Sequence, residues 1–506
     1  MTIVPPELEE IPAPAEQAVE EPRGRLRVTA ARGTLVNAVF DIVLQGLAFL
    51  KGFIVAAFLT QSQYGLWGIL VISLGTLSWL KQSGISEKYV QQDAEDQELA
   101  FQRAFTVEAT SNVVMALILA VMLPVFVVLY GQSALLAPGI VLIVAVLAQS
   151  FRAPSWIYYR EMRYTRQRVL DAADPLVSLV VTIALAVAGL GYWSLVIGYV
   201  SGVVAGGVVA VAMSPYKLRF RHDAATLREY FAFSWPLFVA GGAGLVIPQV
   251  SMLAGEAKLG LAGAGTITLA GTISVYTARV DQIVTWTLYP AICRVKDRTD
   301  VLFEAFVKTN RLALMWGVPF GVGVALFAAD LIHYGIGDHW RPALHLVQAF
   351  GLIAAADHVA FNWAAFLRAR GITRPLAVIT PLVMVVFLAT ALPGLLLFGL
   401  DGYAVGMALM ACAALAARTW VIKRRLFPQF RILRHGGRAL APTLPAAAAV
   451  LLLRLVLPDH SLAVALTEAA VYVAVTAAFT LILERALLRE VVGYVRGKTG
   501  LAQAPA

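Results

Sequence analysis

Apolar runs separated by short polar turns recur along almost the whole chain. The first pair is TLVNAVFDIVLQGLAFLKGFIVAAFLT (34–60) and, after the turn QSQYG, LWGILVISLGTLSWLKQSGISEKY (66–89). Rising about 1.5 Å per residue, a helix of either length crosses roughly 30 Å of hydrocarbon, so the stretch reads as a transmembrane hairpin. Runs this long are helices rather than the ten-residue alternating strands of a barrel. The same pattern predicts about fourteen spans, near 34–60, 66–88, 104–130, 134–158, 169–189, 191–213, 230–253, 264–290, 304–329, 343–367, 373–398, 401–422, 439–457 and 462–484. The expected fold class is all-α, a polytopic membrane protein.

The placement of charge supplies an orientation. If successive connections alternate sides, the even-numbered ones and both termini carry nearly all the arginine and lysine. Examples are Arg152, Arg160, Arg163, Arg166 and Arg168 at and beyond the end of span four, and Arg418, Lys423, Arg424 and Arg425 at and beyond the end of span twelve. The odd-numbered connections hold only Lys258, Arg341 and Arg454. By the positive-inside rule both termini are cytoplasmic. Residues 1–22, rich in Pro, Glu and Ala, read as part of a disordered cytoplasmic tail rather than a signal peptide.

Composition then narrows the function classes. A hydrophobic content of 59% and a mean hydropathy of +0.75 exclude an ordinary soluble enzyme. The net charge of +9 is spread thinly over many short turns, which suits contact with anionic membrane lipids and not nucleic acid. Cys293 and Cys412 form no CxxC pair and exclude a thiolate metal site. No outer connection is long enough for a catalytic domain, so the chain is not expected to be an enzyme.

An internal repeat organises the spans. Gly65-Leu66-x-Gly68 matches Gly260-Leu261-x-Gly263; Arg160 to Arg166 matches Arg368 to Arg374; Gly191-Tyr192 matches Gly402-Tyr403. Six spans per repeat is an even number, so the halves share an orientation and are related by an axis along the membrane normal. The expected division is a tail (1–30), an N-lobe of spans one to six (31–215), a C-lobe of spans seven to twelve (216–425), two added spans (426–490) and a C-terminal cytoplasmic tail (491–506).

Several polar residues interrupt the apolar runs. Lys51 lies far from either end of span one, where an ammonium is too costly to leave in lipid. It faces protein or water, snorkels, or pairs with a buried acid. Asp41, about 15 Å away along the helix axis, is on another face and reads as a protonatable coupling group. Arg279 and Asp281 share the cytoplasmic third of span eight with Tyr276 and Trp286. Asp357, His358 and Asn362 interrupt span ten, and an imidazole titrates near neutral pH. Pro236 and Pro248 with Gly241, Gly242 and Gly244 supply hinge chemistry in span seven, and small residues at close helix contacts explain the glycines equally well.

The QSQYGLWGIL turn, the FRAPSWIYYREMRYTRQR exit from span four, the LGYWSLVIGYVSG start of span six and LREYFAFSWPLFVAGGAG at span seven resemble the Wzx-type oligosaccharide flippases. These form part of the polysaccharide transporter family, here its colanic-acid exporter branch, in the MOP (multidrug, oligosaccharidyl-lipid, polysaccharide) exporter superfamily. The resemblance covers about residues 30 to 490, and its motifs are structural turns. It implies alternating-access transport of an undecaprenyl-pyrophosphate-linked oligosaccharide across the bacterial inner membrane, for exopolysaccharide, capsule or lipopolysaccharide O-antigen assembly. Implied partners are that lipid-linked sugar, membrane lipids, a polysaccharide polymerase and other assembly proteins. No cofactor is implied beyond H+ or Na+ coupling. On this reading Lys51, Arg279, Trp67, Tyr276 and Asn362 bind substrate, with cations on the pyrophosphate, while Asp41, Asp281, Asp357 and His358 couple. The superfamily also holds lipid II flippases and cation-coupled drug antiporters, which stand as alternatives. A polymerase or ligase, which would carry a large outer loop, is the more distant rival.

Overall fold

A computed structural model describes residues 42–80, 85–92, 94–161, 163–223, 246–295, 297–372, 374–431, 440–457 and 461–489, with isolated positions between them. The two tails, Asp41, Pro236 and the glycines at 241, 242 and 244 fall outside the described residues. Among the described residues the regular elements are all helices, in keeping with an all-α membrane protein.

The principal helices are α1 (Ile42–Ala56), α2 (Gln61–Leu80), α3 (Gln97–Leu129), α4 (Leu136–Ala148), α5 (Tyr164–Val187) and α6 (Trp193–Ala212). They continue with α7 (Val246–Arg294), α8 (Thr299–Leu326), α9 (Leu344–Asp357), α10 (Trp363–Ala369), α11 (Arg374–Val421), α12 (Thr443–Val456) and α13 (Leu462–Leu483). Seven described helices are long and apolar enough to cross a membrane, or eight if the bent pair beginning at Thr299 is one span. Spans seven and eight, expected as separate helices, meet end to end at Gly260 within α7, as eleven and twelve do at Gly399 within α11. Each turns at one glycine in the left-handed region, Gly260 (φ 67°) and Gly399 (φ 68°), a conformation costly for any side chain. Both chains fold back sharply: a Cβ on Gly394 would overlap the Gly402 carbonyl, and one on Gly255 would meet Ile267 at 2.5 Å.

Local chemistry sets the helix starts. Thr60 Oγ1 accepts from Gln63 N–H (3.3 Å) while Gln63 Oε1 accepts from Thr60 N–H (3.1 Å), a reciprocal capping box that opens α2. Asp96 caps α3 by accepting from Leu99 N–H at 2.9 Å.

The two sets of helices, α1–α6 and α7–α11, meet most closely where α2 crosses α7. A Cβ on Gly65 would overlap the Leu261 carbonyl and lie 2.8 Å from Gly265 N, and one on Gly265 would overlap the Gln61 carbonyl. The backbones touch because neither side has a side chain there. The same end is sealed by the α8–α9 connection. Fully buried Trp340 donates its indole N–H to the Ala56 carbonyl (2.8 Å), His339 Nε2 bonds the Leu59 carbonyl (3.2 Å), and Gln61 donates to the His339 carbonyl (2.6 Å). Residues of one set thus cap the carbonyls at the end of α1, which its own helix leaves unpaired.

The hairpin α12–α13 is fastened along α8. Arg454 bonds Glu468 (2.8 Å), Asp330 (2.6 Å) and the Leu326 carbonyl (3.2 Å). Tyr472 donates to the Pro319 carbonyl (2.8 Å), and Arg311 pairs with Glu484.

Gly265→Ala should lower the thermal midpoint of the detergent-solubilised protein, because the added methyl meets backbone that cannot yield. Overpacking of this kind costs about 1–3 kcal/mol. An unchanged midpoint would mean that α2 and α7 do not approach as described.

Candidate functional site

Two charged centres lie inside the helix bundle, one in each set of helices. The first gathers around Lys51. Its ammonium donates to Ser178 Oγ of α5 at 2.9 Å and lies in electrostatic range of Asp174, one turn earlier on that helix. The Asp174 carboxylate also holds Arg152, with Nη1 to Oδ2 at 2.7 Å. Arg152 can reach it because α4 gives way to a 3₁₀ turn over Gln149–Arg152, a departure from regular helix that re-aims side chains. Small residues make room, since a Cβ on Gly202 of α6 would lie 2.6 Å from Asp174 Oδ1. Gln149 donates to the Tyr199 hydroxyl (3.3 Å), and Trp67 stands edge-on to the Tyr199 ring at 6.3 Å. Two cations therefore surround one carboxylate among the described residues.

The second centre joins α7, α9 and α11. Arg418 Nη2 pairs with Asp357 Oδ1 at 2.7 Å and Nη1 donates to the Asp357 carbonyl at 3.0 Å. His358, 0% exposed, donates from Nδ1 to the Ala354 carbonyl (2.6 Å). That bond fixes the neutral tautomer with a bare Nε2. Nε2 faces Asp281 Oδ1 at 3.4 Å, and neither atom has a hydrogen-bond partner. Asp281, Asp357, Asn362 and Arg418 line a cavity of about 490 Å³. Its wall is fastened by Asn362, which bonds Thr309 (2.9 Å) and Asn310 (3.0 Å) of α8.

A row of rings runs from α1 to the second centre. Phe49, two residues before Lys51, packs on Tyr276 (4.9 Å); Tyr276 meets Trp316 (6.1 Å); Trp316 stands edge-on to His358 (4.6 Å). Tyr276 is thus part of an aromatic contact between α1, α7 and α8. Arg279 is exposed and bonds Gln282 on its own helix (3.3 Å) rather than Lys51.

The chain as a whole matches known proteins. A family model described as polysaccharide biosynthesis protein matches residues 54–345, more than half of the chain. The chain belongs to that family. The chain is 20% identical over 351 residues to the lipopolysaccharide biosynthesis protein WzxC of Escherichia coli (strain K12), covering 66% of this chain and 69% of WzxC. Its fold is similar to that of the lipid II flippase MurJ in an inward closed conformation. The TM-score is 0.69 at 10% identity, over 90% of this chain and 100% of MurJ. An inward-facing multidrug resistance MATE family transporter of the MOP superfamily gives 0.63 at 12% identity, over 76% and 98%. This chain therefore shares the fold of these two structures.

Sequence reasoning missed the residues that complete both centres. Arg152 and Arg418 were counted with the cytoplasmic turns, yet each reaches into the bundle to a carboxylate. Asp174 was overlooked, although an acid inside the apolar run 169–189 was itself a signal.

Asp174→Asn should destabilise the family member by about 1–3 kcal/mol, the range for a hydrogen bond to a charged group, by leaving Arg152 without its partner. The double change Arg152→Gln with Asp174→Asn should recover part of the loss in a thermal double-mutant cycle. Additive effects would sink the pairing.

Proposed function

We propose that this protein is a flippase that carries a polyprenyl-pyrophosphate-linked oligosaccharide across the bacterial inner membrane, for exopolysaccharide, capsule or O-antigen assembly. Both termini face the cytoplasm, and a polysaccharide polymerase acts downstream. The observation that carries the reading is Lys51, a cation inside an apolar helix whose neighbouring carboxylate is already bound by Arg152. Such a surplus of positive charge suits a pyrophosphate, which offers many acceptor oxygens for charge-assisted bonds.

In this mechanism the headgroup moves between the two sets of helices while its polyprenyl tail stays in lipid. Lys51 and Arg152 hold the pyrophosphate, Trp67 and Tyr276 offer ring faces to sugars, and Arg279 and Asn362 serve the same pathway. Coupling falls to the second centre. One proton between His358 Nε2 and Asp281 Oδ1 would join the two unpartnered atoms, and Asp357 would respond through Arg418. Asp41 remains a coupling candidate on sequence grounds. Family membership and the WzxC likeness support the substrate class. A drug antiporter would favour net negative charge around Lys51, the reverse of what lies there.

Deletion of the gene should leave intact undecaprenyl-pyrophosphate oligosaccharide on the cytoplasmic face, and complementation should clear it. Lys51→Ala, expressed at wild-type level, should restore less than a tenth of transport, as expected when a charge-assisted contact worth at least about 1.4 kcal/mol is lost. Full clearance by the variant would remove Lys51 from the site.

A further inference from the structure

We propose that Arg368, seconded by Arg370, forms a phosphate-binding subsite at the mouth of the second centre's cavity. There it holds the phosphate of a lipid headgroup at the cytoplasmic interface before inward passage. The direction of passage rests on the flippase reading; the binding does not.

The local fold builds the subsite. Helix α10 ends in a Schellman motif: Ile372 N–H donates to the Leu367 carbonyl (2.9 Å), Gly371 N–H to the Arg368 carbonyl (2.9 Å), and Gly371 takes φ +72°. This reversal sets Arg368 and Arg370 on one groove of about 600 Å³, bordered by Asp297 and Thr299. Thr299 opens α8, so the groove abuts the positive end of a 28-residue helix. Arg370 is anchored, reaching the Thr299 hydroxyl and lying 5.9 Å over the Phe427 ring.

Arg368 is different. It is exposed, lies 6.0 Å over the Tyr289 ring, and has no hydrogen-bond partner among the described residues. It also lines the inner cavity that holds Asp281 and Arg418, so one guanidinium borders both spaces. The matching position in the first half of the chain sharpens the contrast. Arg160 likewise lies 6.0 Å over a tyrosine, Tyr89, but its guanidinium is occupied by the backbone carbonyls of Tyr89 (3.1 Å), Val90 (3.1 Å) and Gln92. The same stacked arginine is a structural tie in one half. In the other, its fork of donors is left to a ligand. A planar guanidinium set over a ring, with its donors unbonded among the described residues, suits the paired oxygens of a phosphate or pyrophosphate.

The test is binding to the full-length protein in nanodiscs, with undecaprenyl pyrophosphate in one arm and phosphatidylglycerol in the other. Arg368→Gln should weaken binding of the phosphate lipid about tenfold, and Arg368→Lys should restore part of it. Folding of each variant is checked by thermal midpoint. A second measurement leaves Arg368 in place: Ala369→Cys, with Cys293 and Cys412 changed to Ser, should react with a charged thiol reagent and be protected by the same lipid. Unchanged affinity in Arg368→Gln together with no protection overturns the subsite while leaving the flippase reading intact. Loss confined to phosphatidylglycerol supports a phosphate subsite and counts against the pyrophosphate cargo. Wild-type protein that binds neither lipid overturns both.

Discussion

A charge inside an apolar helix is tolerated only if something meets it, and this constraint arranges the bundle. Each cluster of buried charge ties together helices distant in sequence. Lys51 and Ser178 link α1 to α5, Arg152 and Asp174 link α4 to α5, Arg418 and Asp357 link α11 to α9. Arg454 gathers Asp330 and Glu468, fixing the last hairpin to the end of α8. Breaking such a pair leaves a charge inside the bundle without its partner, at a cost that grows with burial, so the clusters hold their helices together. Charge here serves as interhelical attachment before it serves as chemistry.

The contact between the two groups is of another kind. Where α2 crosses α7 the backbones meet through glycines, and the end is closed by Trp340, His339 and Gln61 on neutral carbonyls. Neutral hydrogen bonds are each worth roughly 0.5–1.5 kcal/mol net, because water replaces them when they open. Buried apolar side chains of both sets also form one core, with Phe53, Val55 and Leu59 beside Ile273, Trp340 and Phe350, and Gln132 donates to Glu256 across the same boundary (2.9 Å). The ties within each set are built on paired charge, whereas those between the sets rest mainly on close packing.

Much of this was legible in the sequence, for identifiable reasons. Run length announced a helical membrane protein, and Gly65, Gly68, Gly260 and Gly263 were singled out as a repeated turn before their backbone roles were visible. Gly260 is the left-handed turn itself, while Gly65 is the point of contact between the halves. Lys51 stood out because no partner was near it in the chain. Its actual neighbours, Ser178 and Asp174, lie more than a hundred residues away, and no local periodicity reports such a pairing. Arg152 and Arg418 were hidden by their proximity to basic turns. A long side chain near a helix end can turn either toward headgroups or inward, and only packing decides. The breaks within α7 and α11 were legible as well, since Gly260 and Gly399 fall in the short intervals 254–263 and 399–400 left between apolar runs.

The two sets of helices differ in what surrounds their charges. Beside Lys51 stand one further cation, Arg152, and one carboxylate, Asp174; around His358 stand Asp281 and Asp357 with Arg418, and Arg368 borders the same cavity. The first centre therefore holds a surplus of positive charge, while in the second the carboxylates are balanced by guanidiniums. Arg160 and Arg368 carry the difference to the surface, one arginine occupied by backbone carbonyls and its counterpart left with open donors. Matching positions in the two sets thus carry different duties, because a side chain already spent on holding the fold has no donors left for a ligand.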